Sequence, residues 1–343
     1  QWLIDHGFVD SNNVYNVTTT SSLRLEDVMP HYLKYEIKSL KVSGPLKPSD
    51  IATLRSLPVL EILDMSDADI ITGTGNYYSG GTDKYWGSKI EAQTTKKDVF
   101  PAYFVKDSQL KNLHTLYLPN SVTEIPNFAL WEAKSIKNIK LGTGLKKIWC
   151  WSFDCDINSI TIPKGVEQVA TGTFEYCLEL NSIKVEDGNN NYFSIDGVLY
   201  DNRYTRTLSA WPANKDFNGI PKEIGVSMLG MRCFENCKFT EIVIPECIYN
   251  IQSQIFYRCK NLRSVTFPSH KLNDCATDLF LETGGSVKEI HMKATTAPER
   301  CYFNSNDAEL KNATIYIPKG SSYEYEFKYS NSEWKKFPIK EED

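Results

Sequence analysis

Apolar residues return along this chain with the spacing L-x-x-L-x-L, separated by mostly polar positions. The last two apolar residues of each group flank an outward position, as a short strand with one buried face requires. Where the array is uninterrupted, equivalent residues of successive groups lie 21 to 25 positions apart. The clear groups are Leu60/Leu63/Met65, Leu113/Leu116/Leu118, Ile136/Ile139/Leu141, Ile157/Ile160/Ile162, Leu180/Ile183/Val185, Phe239/Ile242/Ile244, Leu262/Val265/Phe267 and Val287/Ile290/Met292.

A second set of apolar positions keeps phase with the first. In it an aliphatic residue precedes an aromatic or large apolar residue by five positions. One unit of this length cannot bury its own apolar side, whereas stacked units bury a continuous core. The two phased sets therefore predict a solenoid, and Phe280 is the predicted ring of the irregular repeat over 264–288. The regular pairs are Val99/Phe104, Ile125/Leu130, Ile148/Phe153, Val169/Phe174, Leu229/Phe234 and Ile251/Phe256.

The predicted fold class is a β-rich α/β leucine-rich-repeat solenoid. We expect short parallel strands along one face, because each L-x-L group pairs with the next, and irregular turns or short helices along the other. A β-hairpin insertion is predicted within 186–217, with a turn near Asp201 and Asn202.

Three segments carry a specific resemblance: "LPNSVTEIPNFALWEAKSI", "IPKGVEQVATGTFEYCLEL" and "IPECIYNIQSQIFYRCKNL". They resemble the BspA-like leucine-rich repeat, whose pattern runs IP-x-x-V-x-x-I-x-x-x-A-F-x-x-C-x-x-L. Two positions depart from it, since Leu130 stands at the Phe position and Ala133 at the Cys position. The resemblance implies a surface or secreted protein of the Bacteroidetes type, and it is specific for the fold rather than for a ligand.

The repeat pattern divides the chain into a solenoid and two ends. Residues 1–36 carry no repeat and are the predicted N-terminal cap, and residues 37–317 are the predicted solenoid. Two insertions interrupt it, the Gly- and Thr-rich stretch 72–98 and the hairpin segment 186–217. Residues 318–343 are the predicted C-terminal cap, which a solenoid needs to cover its last exposed core face.

Composition excludes several classes of protein. With 41% hydrophobic and 24% charged residues, the chain is not mainly disordered. A net charge of −5 argues against a nucleic-acid partner, which selects a basic face. There is no transmembrane segment, because no apolar run approaches the roughly 20 residues that span a bilayer. No signal peptide precedes Gln1, so we take an export signal to have been removed and, on the resemblance, expect an extracellular or outer-surface location.

The nine cysteines are an odd number, so they cannot all pair within one chain. Cys177, Cys237 and Cys259 each follow the aromatic residue of the second apolar set, here called the second ladder, by three positions. They are predicted to be stacked core residues. Whether Cys233 pairs with Cys237, or Cys150 with Cys155, is left open by the spacing. The five histidines show no ligand-like spacing, so we predict neither a metal site nor a cofactor.

The outward middle residue of each strand forms one candidate binding row. In a solenoid such a row is an extended surface, and it is either a generic solvated face or a binding face. The candidate residues are Tyr117, Lys140, Thr161, Lys184 and His291.

The insertion 72–98 supplies the second candidate. Its aromatic residues occupy no repeat position, and they either stack on sugar rings, anchor a protein partner, or fold back over the solenoid. These residues are Tyr77, Tyr78, Tyr85 and Trp86.

The sequence contains no G-x-S-x-G, H-E-x-x-H, phosphate-loop or dinucleotide fingerprint, and no pair of carboxylates is singled out by spacing. We therefore predict a binding module and not an enzyme. Adhesin-like recognition of a host or bacterial surface protein ranks first. Capture of a polysaccharide and a spacer role without a specific ligand are the alternatives.

Overall fold

The computed structural model describes residues 13–82, 89–298, 301–302, 309–310, 312–322 and 337–343. The chain separates into two compact units. Unit 1 is residues 1–179 with 185–189, and unit 2 is residues 180–184 with 190–343. The strands of unit 1 are β1 (Tyr15–Thr18), β2 (Ser39–Leu46), β3 (Ile62–Ile70), β4 (Thr115–Tyr117), β5 (Glu124–Ile125), β6 (Asn138–Lys140), β7 (Lys147–Ile148), β8 (Ser159–Ile162) and β9 (Gln168–Val169).

The main sheet of unit 1 is parallel and built from the first apolar set. Its strand order is β1-β2-β3-β4-β6. Leu40 pairs with Leu63, Leu63 with Leu116, and Leu116 with Ile139, so equivalent positions of successive repeats lie side by side. All but the half-buried Ile139 are fully buried, as the pattern predicted. The parallel solenoid is therefore confirmed.

A second parallel sheet replaces the irregular turns expected on the other side of unit 1. It has the order β5-β7-β9, and Ile125 pairs with Ile148, which lies beside Val169. The aliphatic positions of the second ladder are thus strand residues. Each strand has only two residues, too few for a period of two to show in the sequence.

The strands of unit 2 form the same two kinds of sheet. One sheet, β15-β17-β19-β21-β22, is parallel and aligns Ile242, Val265, Ile290, Ile315 and Ile339. The strands with their bounds are β10 (Ser182–Val185), β11 (Tyr192–Ile195), β12 (Val198–Asp201), β13 (Thr207–Ala210), β14 (Met228–Leu229), β15 (Glu241–Val243), β16 (Asn250–Ile251), β17 (Ser264–Phe267), β18 (Asp274–Thr277), β19 (Glu289–Met292), β20 (Cys301–Tyr302), β21 (Thr314–Pro318) and β22 (Ile339–Glu342).

The hairpin insertion is a three-stranded meander that leads into the second sheet of unit 2. The order of that sheet is β11-β12-β13-β14-β16-β18-β20, antiparallel through β13 and parallel afterwards. A chain reversal follows β12, at the predicted Asp201 and Asn202. A further turn lies at Asp196 and Gly197, whose φ angles of 49° and 73° suit a two-residue hairpin loop.

Helices in the described residues are short, and they lie mainly before β3. The helix Pro48–Arg55 begins with Pro48 at its first turn, and the Asp50 carboxylate accepts hydrogen bonds from the backbone N–H groups of Lys47 (2.8 Å) and Leu25 (2.7 Å). This carboxylate caps the helix and ties it to the preceding segment. The other helices are Leu25–Val28 and the 3₁₀ turns His31–Tyr35 and Lys222–Ile224.

The parallel ladder is longer than the predicted solenoid of 37–317. Tyr15 of β1 pairs with Leu40, inside the predicted N-terminal cap, and Ile339 of β22 pairs with Ile315, inside the predicted C-terminal cap. An end strand has a repeat neighbour on one side only, so it does not need the full apolar triplet to join the sheet. The described parts of both predicted caps therefore add strands.

Stacked phenylalanine rings fill the core of each unit. In unit 2, Phe256 lies between Phe234 (5.7 Å between centroids) and Phe280 (5.4 Å), with interplanar angles of 14° and 16°. All three rings are fully buried, which confirms Phe280 as the ring of the irregular repeat. In unit 1, Phe153 and Phe174 stack at 5.7 Å and 6°. These repeats therefore stack the ring of one on the ring of the next.

The central position of Phe256 predicts a large loss of stability on truncation. Phe256→Ala removes a ring that packs on both neighbours, and we expect it to lower the free energy of unfolding by about 3–5 kcal/mol. The measurement is urea unfolding followed by circular dichroism. Val243→Ala is the control, because Val243 is 64% exposed, and it should leave the midpoint unchanged. Equal midpoints for Phe256→Ala and the wild type would contradict a stacked core.

Candidate functional site

One backbone corner recurs in the repeats of both units. It lies three residues after the aliphatic position of the second-sheet strands from β5 onwards, and Tyr103, four residues after Val99, occupies the same corner. The residue at this corner adopts positive φ: 54° at Tyr103, 61° at Phe128, 54° at Trp151 and 72° at Gly172. Backbone hydrogen bonds join successive corners, from Tyr103 N to Phe128 O (2.9 Å), Phe128 N to Trp151 O (3.1 Å) and Trp151 N to Gly172 O (3.1 Å). The equivalent corner residues of unit 2 are Arg232, Gln254 and Asp278.

Three successive corners carry aromatic rings, and we call Tyr103, Phe128 and Trp151 the aromatic column. Tyr103 and Phe128 stack at 5.5 Å and 9°, and Phe128 and Trp151 at 5.6 Å and 13°. All three side chains are half-buried, so each presents part of its edge to solvent. Trp131 packs its ring against Phe128 at 5.3 Å and 87°, which supports the column from the core.

The column ends at Gly172 and at a carboxylate. The Trp151 indole N–H donates to Glu175 Oε2 at 2.6 Å, which holds the ring in place above the glycine. A Cβ built on Gly172 would lie 3.5 Å from Trp151 Nε1, so the last ring covers the bare backbone of the next corner.

Aromatic residues at this corner are in a strained backbone conformation. A left-handed conformation costs a non-glycine residue about 1 kcal/mol or more, and bulky residues are outliers there. Gly172 shows that the same corner forms without that cost. Each stacked pair returns about 0.5–1.5 kcal/mol, which offsets part of the strain. The backbone therefore does not demand aromatic residues, and their presence in three successive repeats marks the column as a candidate site.

The sequence reasoning missed this column, although the signal was there. Phe128 and Trp151 follow the ladder residues Ile125 and Ile148 by three positions, whereas Tyr103 follows Val99 by four. The residue type at this position varies between repeats, so the constant ladder residues concealed it. A search for aromatic residues at shared repeat positions would have found Phe128 and Trp151, and the backbone pairing is needed to add Tyr103.

The two described aromatic residues of the insertion are buried. Tyr77 and Tyr78 are 6% and 8% exposed, and their hydroxyls donate to Ala102 O (2.6 Å) and to Asp107 Oδ2 (2.7 Å). Burial raises the pKa of both phenols. Of the three alternatives for these residues, Tyr77 and Tyr78 follow the third, since both fold back onto the repeat. Tyr85 and Trp86 lie outside the described residues.

Arg55 holds this insertion and the first corner together. Its guanidinium is 7% exposed and donates to the backbone oxygens of Tyr103, Phe104 (2.8 Å) and Lys106 (2.7 Å). It also lies over the ring of Tyr78, 4.6 Å from the centroid. Burial lowers its pKa, an effect that the neighbouring tyrosines and Asp107 oppose. Arg55 therefore positions the backbone that carries the first ring of the aromatic column.

The candidate strand row is divided between the two units. In unit 1, Tyr117 lies beside Lys140 in the register of β4 and β6, and Thr161 is exposed on β8. Lys140 is exposed, whereas Tyr117 is half-buried. In unit 2, Lys184 is exposed on β10 and His291 is half-buried on β19.

His291 is engaged by neighbouring side chains. Its ring stacks on Tyr316 at 4.7 Å and 11°, and its Nδ1 lies 3.0 Å from Glu342 Oε2. Lys293 Nζ lies 2.7 Å from the other oxygen of Glu342. His291 of β19 and the nearby Lys293 thus both contact the Glu342 carboxylate of β22.

Six of the eight cysteines whose side chains the structure describes are core thiols. Cys155, Cys177, Cys233, Cys237, Cys259 and Cys275 are buried, Cys150 and Cys247 are half-buried, and neither of the two pairings left open by the spacing forms. Burial raises the pKa of Cys177 to about 12. The thiol of Cys259 donates to Phe234 O of the preceding repeat at 2.9 Å. In the described part of the chain no three metal-ligating side chains converge, and no helix has the length and hydropathy to cross a bilayer.

Thiol accessibility gives a direct test of this assignment. Under native conditions at neutral pH, we expect a thiol reagent to modify Cys150 and Cys247 and to spare the six buried thiols, because the surrounding core keeps the reagent away from them. Mass spectrometry of peptides after brief labelling identifies the sites, and labelling in denaturant is the control. Rapid native labelling of Cys177 or Cys259 would contradict the buried ladder.

The contact around Glu342 predicts a pH dependence. Burial alone raises the pKa of Glu342, but hydrogen bonds from Lys293 and His291 outweigh it and leave the pKa below its usual value. The contribution of this carboxylate to stability is therefore present above the unfolded pKa and is lost as the pH falls through the folded pKa.

Between about pH 6 and about pH 3, the wild type should lose more stability than Glu342→Gln, which lacks this titration. Urea midpoints across that range measure the difference. Asp343→Asn is the control, since the Asp343 side chain is 97% exposed. Parallel pH profiles of the wild type and Glu342→Gln would contradict the assignment.

Comparison with known proteins agrees with this architecture. A leucine rich cell surface protein from Faecalibacterium prausnitzii A2-165 is similar over 98% of this chain and 92% of its own, with a TM-score of 0.50 and 15% identity. A leucine-rich repeat protein from Eubacterium ventriosum ATCC 27560 is similar over 81% of this chain and 73% of its own, with a TM-score of 0.51 and 17% identity. At these identities the likeness shows the fold. No curated protein matches the chain significantly.

The family is given by the repeats themselves. The model of the BspA type leucine rich repeat region matches six copies, over residues 104–201 and 227–342, which is more than half of the chain. These residues contain the parallel strands of unit 1 from β4 onwards, those of unit 2 from β14 onwards, and the phenylalanine stacks of both units. The chain belongs to the BspA-type leucine-rich-repeat family.

Proposed function

We propose that this protein is a non-catalytic recognition module that binds a protein partner, a host or bacterial surface protein, in the manner of an adhesin. The aromatic column carries the proposal. Tyr and Trp are the usual anchors of protein interfaces, because they offer large rigid surfaces that bury well. The rings of the aromatic column are half-buried at a backbone corner where glycine would be less strained, which supports a role in recognition.

The ring geometry favours a protein over a glycan. Phe128 has Tyr103 on one face and Trp151 on the other, so the column offers ring edges rather than open faces. Stacking on a sugar needs an open aromatic face. Tyr77 and Tyr78, the described aromatic residues of the insertion, are buried as well. Ring edges fit the ring faces of aromatic side chains in a protein partner, because aromatic pairs pack edge-to-face.

The strand row is a second candidate contact, with Lys140 in unit 1 and Lys184 in unit 2. Lys140 and Lys184 are exposed, and exposed charges steer encounter more than they hold a complex. We assign the protein to the cell surface or the extracellular space. The similarity to a leucine rich cell surface protein supports this location.

The experiment is binding of the intact chain to an array of extracellular-matrix proteins, bacterial surface proteins and polysaccharides, followed by affinity measurements with variants. Phe128→Ala should weaken binding to a captured protein by at least about 30-fold, as a hot-spot residue of about 2 kcal/mol does. Gln254→Ala is the matched control, since Gln254 occupies the same corner in unit 2 without a ring. Thermal unfolding of both variants shows that the fold is kept.

The outcomes separate the candidate functions. Protein binding that is indifferent to Phe128→Ala would exclude the aromatic column as the contact. Retention by a polysaccharide that is lost in Trp86→Ala would replace the proposal by glycan capture through the insertion. A chain that binds nothing on the array supports the spacer role.

Charge reversal tests the strand row separately. Lys140→Glu together with Lys184→Glu should slow association about tenfold at low salt and have less effect at high salt, since exposed charges are screened. Association rates at two ionic strengths measure this. Lys319→Glu is a control reversal, because its side chain is 77% exposed and lies outside the predicted row. Unchanged rates for the double variant would remove the strand row from the interface.

A further inference from the structure

One repeat of unit 2 lacks the strand that would precede β15. In the next repeat the strand centre, Ile242, lies three residues before Pro245, and the same spacing before Pro221 falls on Asn218. Ile242 is buried, and a polar amide is unfavourable at a buried position without a hydrogen-bond partner. Residues 216–221 accordingly form no strand, and the parallel sheet of unit 2 starts at β15.

The missing strand leaves Asn218 and Gly219 as a short link between two anchored residues. On one side the Phe217 ring packs against Trp211, with 5.0 Å between centroids, and on the other Ile220 is 5% exposed. Asn218 itself is exposed, and within the described chain neither Asn218 nor Gly219 forms a hydrogen bond. Gly219 has a φ of 91°, and no atom lies within 4 Å of the place where its Cβ would be. No contact therefore holds the Asn218 amide away from the Gly219 nitrogen.

An asparagine that precedes a glycine can react with its own backbone. The Gly219 nitrogen attacks Asn218 Cγ, and because glycine has no side chain, nothing on the attacking residue obstructs the approach. The new N–Cγ bond closes a cyclic imide, the Cγ–Nδ2 bond breaks, and the amide nitrogen leaves as ammonia with the proton lost by the Gly219 nitrogen. Water then opens the imide at either carbonyl and gives aspartate or isoaspartate, without an oxidant or a reductant. Because the two groups are neighbours in the chain, the attack is effectively unimolecular.

We propose that Asn218 is a site of spontaneous deamidation, which places a new carboxylate on the surface of unit 2. Asn218 and Gly219 form the one Asn-Gly pair of the sequence. Isoaspartate adds a carbon to the backbone, and residues 216–221 accommodate it because they pair with no strand. The modified chain therefore keeps its parallel ladder and gains one negative charge.

Asn120 shows how the fold restrains the same reaction at another exposed asparagine. It precedes Ser121, but its Oδ1 accepts hydrogen bonds from Thr143 N (3.1 Å) and Thr143 Oγ1 (3.3 Å). Its backbone N–H donates to Ser66 O at 3.1 Å. Attack by the Ser121 nitrogen requires this amide to rotate away from Thr143. Asn120 is thus an internal reference that is as open to water as Asn218 but is held by hydrogen bonds.

The test follows both asparagines in the intact chain, folded and in denaturant, at mildly alkaline pH in water enriched in heavy oxygen. Each conversion during incubation then carries a labelled oxygen, and peptide mass spectrometry with fragmentation separates aspartate from isoaspartate. Asn218 should convert at similar rates in both samples, and faster as the pH rises, because the nitrogen attacks after losing its proton. Asn120 should convert at least about tenfold more slowly in the folded chain than in denaturant.

The outcomes that contradict the proposal are distinct. An Asn218 that stays an amide in the folded chain, whether or not it converts in denaturant, would overturn it. Conversion of Asn120 as fast as that of Asn218 in the folded chain would overturn the assignment of the reaction to an amide without hydrogen bonds.

Asn218→Gln is the matched control variant. Glutamine keeps the amide at the same exposed position, but attack by the Gly219 nitrogen would have to close a larger, less favourable ring. Conversion at position 218 should therefore fall at least about tenfold, and the urea midpoint should stay unchanged because the side chain is exposed. Undiminished conversion in this variant would indicate direct hydrolysis of the amide and would overturn the route through the imide.

Discussion

The register between neighbouring repeats is the constraint on which everything else in this molecule depends. Parallel strands place equivalent residues of successive repeats side by side, roughly 4.8 Å apart in the hydrogen-bonding direction. Equivalent residues of successive repeats therefore form a column in the structure. Each residue of a column must pack against the equivalent residues of the repeats before and after it. Leu63 between Leu40 and Leu116, and Phe256 between Phe234 and Phe280, satisfy this requirement with matching shapes. Stability then arises from nearest neighbours, as in other repeat proteins.

The same constraint explains why a candidate site exists without a pocket-forming motif. Tyr103, Phe128 and Trp151 lie far apart in the sequence, yet the corner hydrogen bonds bring their rings into one stack. The left-handed corner is forced by the path of the chain, and the repeat that carries Gly172 accepts it at no cost. Aromatic residues at the same corner are strained, and ring stacking offsets only part of that strain. A half-buried, partly solvent-accessible column that strains the fold is a stronger pointer to recognition than an exposed residue that strains nothing.

Buried columns were predictable from the sequence, and the exposed or long-range features were not. The triplets around Leu116 and Ile139 must be apolar in every repeat, so their period is visible in the chain. Two-residue strands such as β7, which contains Ile148, are too short to show an alternation of polar and apolar residues. They are recognised as strands only from their pairing in the structure. The burial of Tyr78 depends on Arg55 and Asp107, which come from two different segments. No local sequence pattern indicates such a contact, so the sequence left an open aromatic loop and a loop folded over the solenoid as alternatives.

A single backbone corner carries different chemistry in the two units. In unit 1 it presents aromatic rings, whereas in unit 2 it presents Arg232, whose guanidinium lies over the Tyr257 ring at 4.0 Å, and Gln254, which accepts a hydrogen bond from Arg232 at 2.8 Å. The hydrogen bonding of the corner constrains φ but leaves the outward side chain undetermined. Buried columns can therefore stay constant and preserve the fold while exposed columns diverge in chemistry. Recognition in this family is thus expected to follow the outward columns of individual repeats, and resemblance in the ladder residues alone does not transfer a ligand from one member to another.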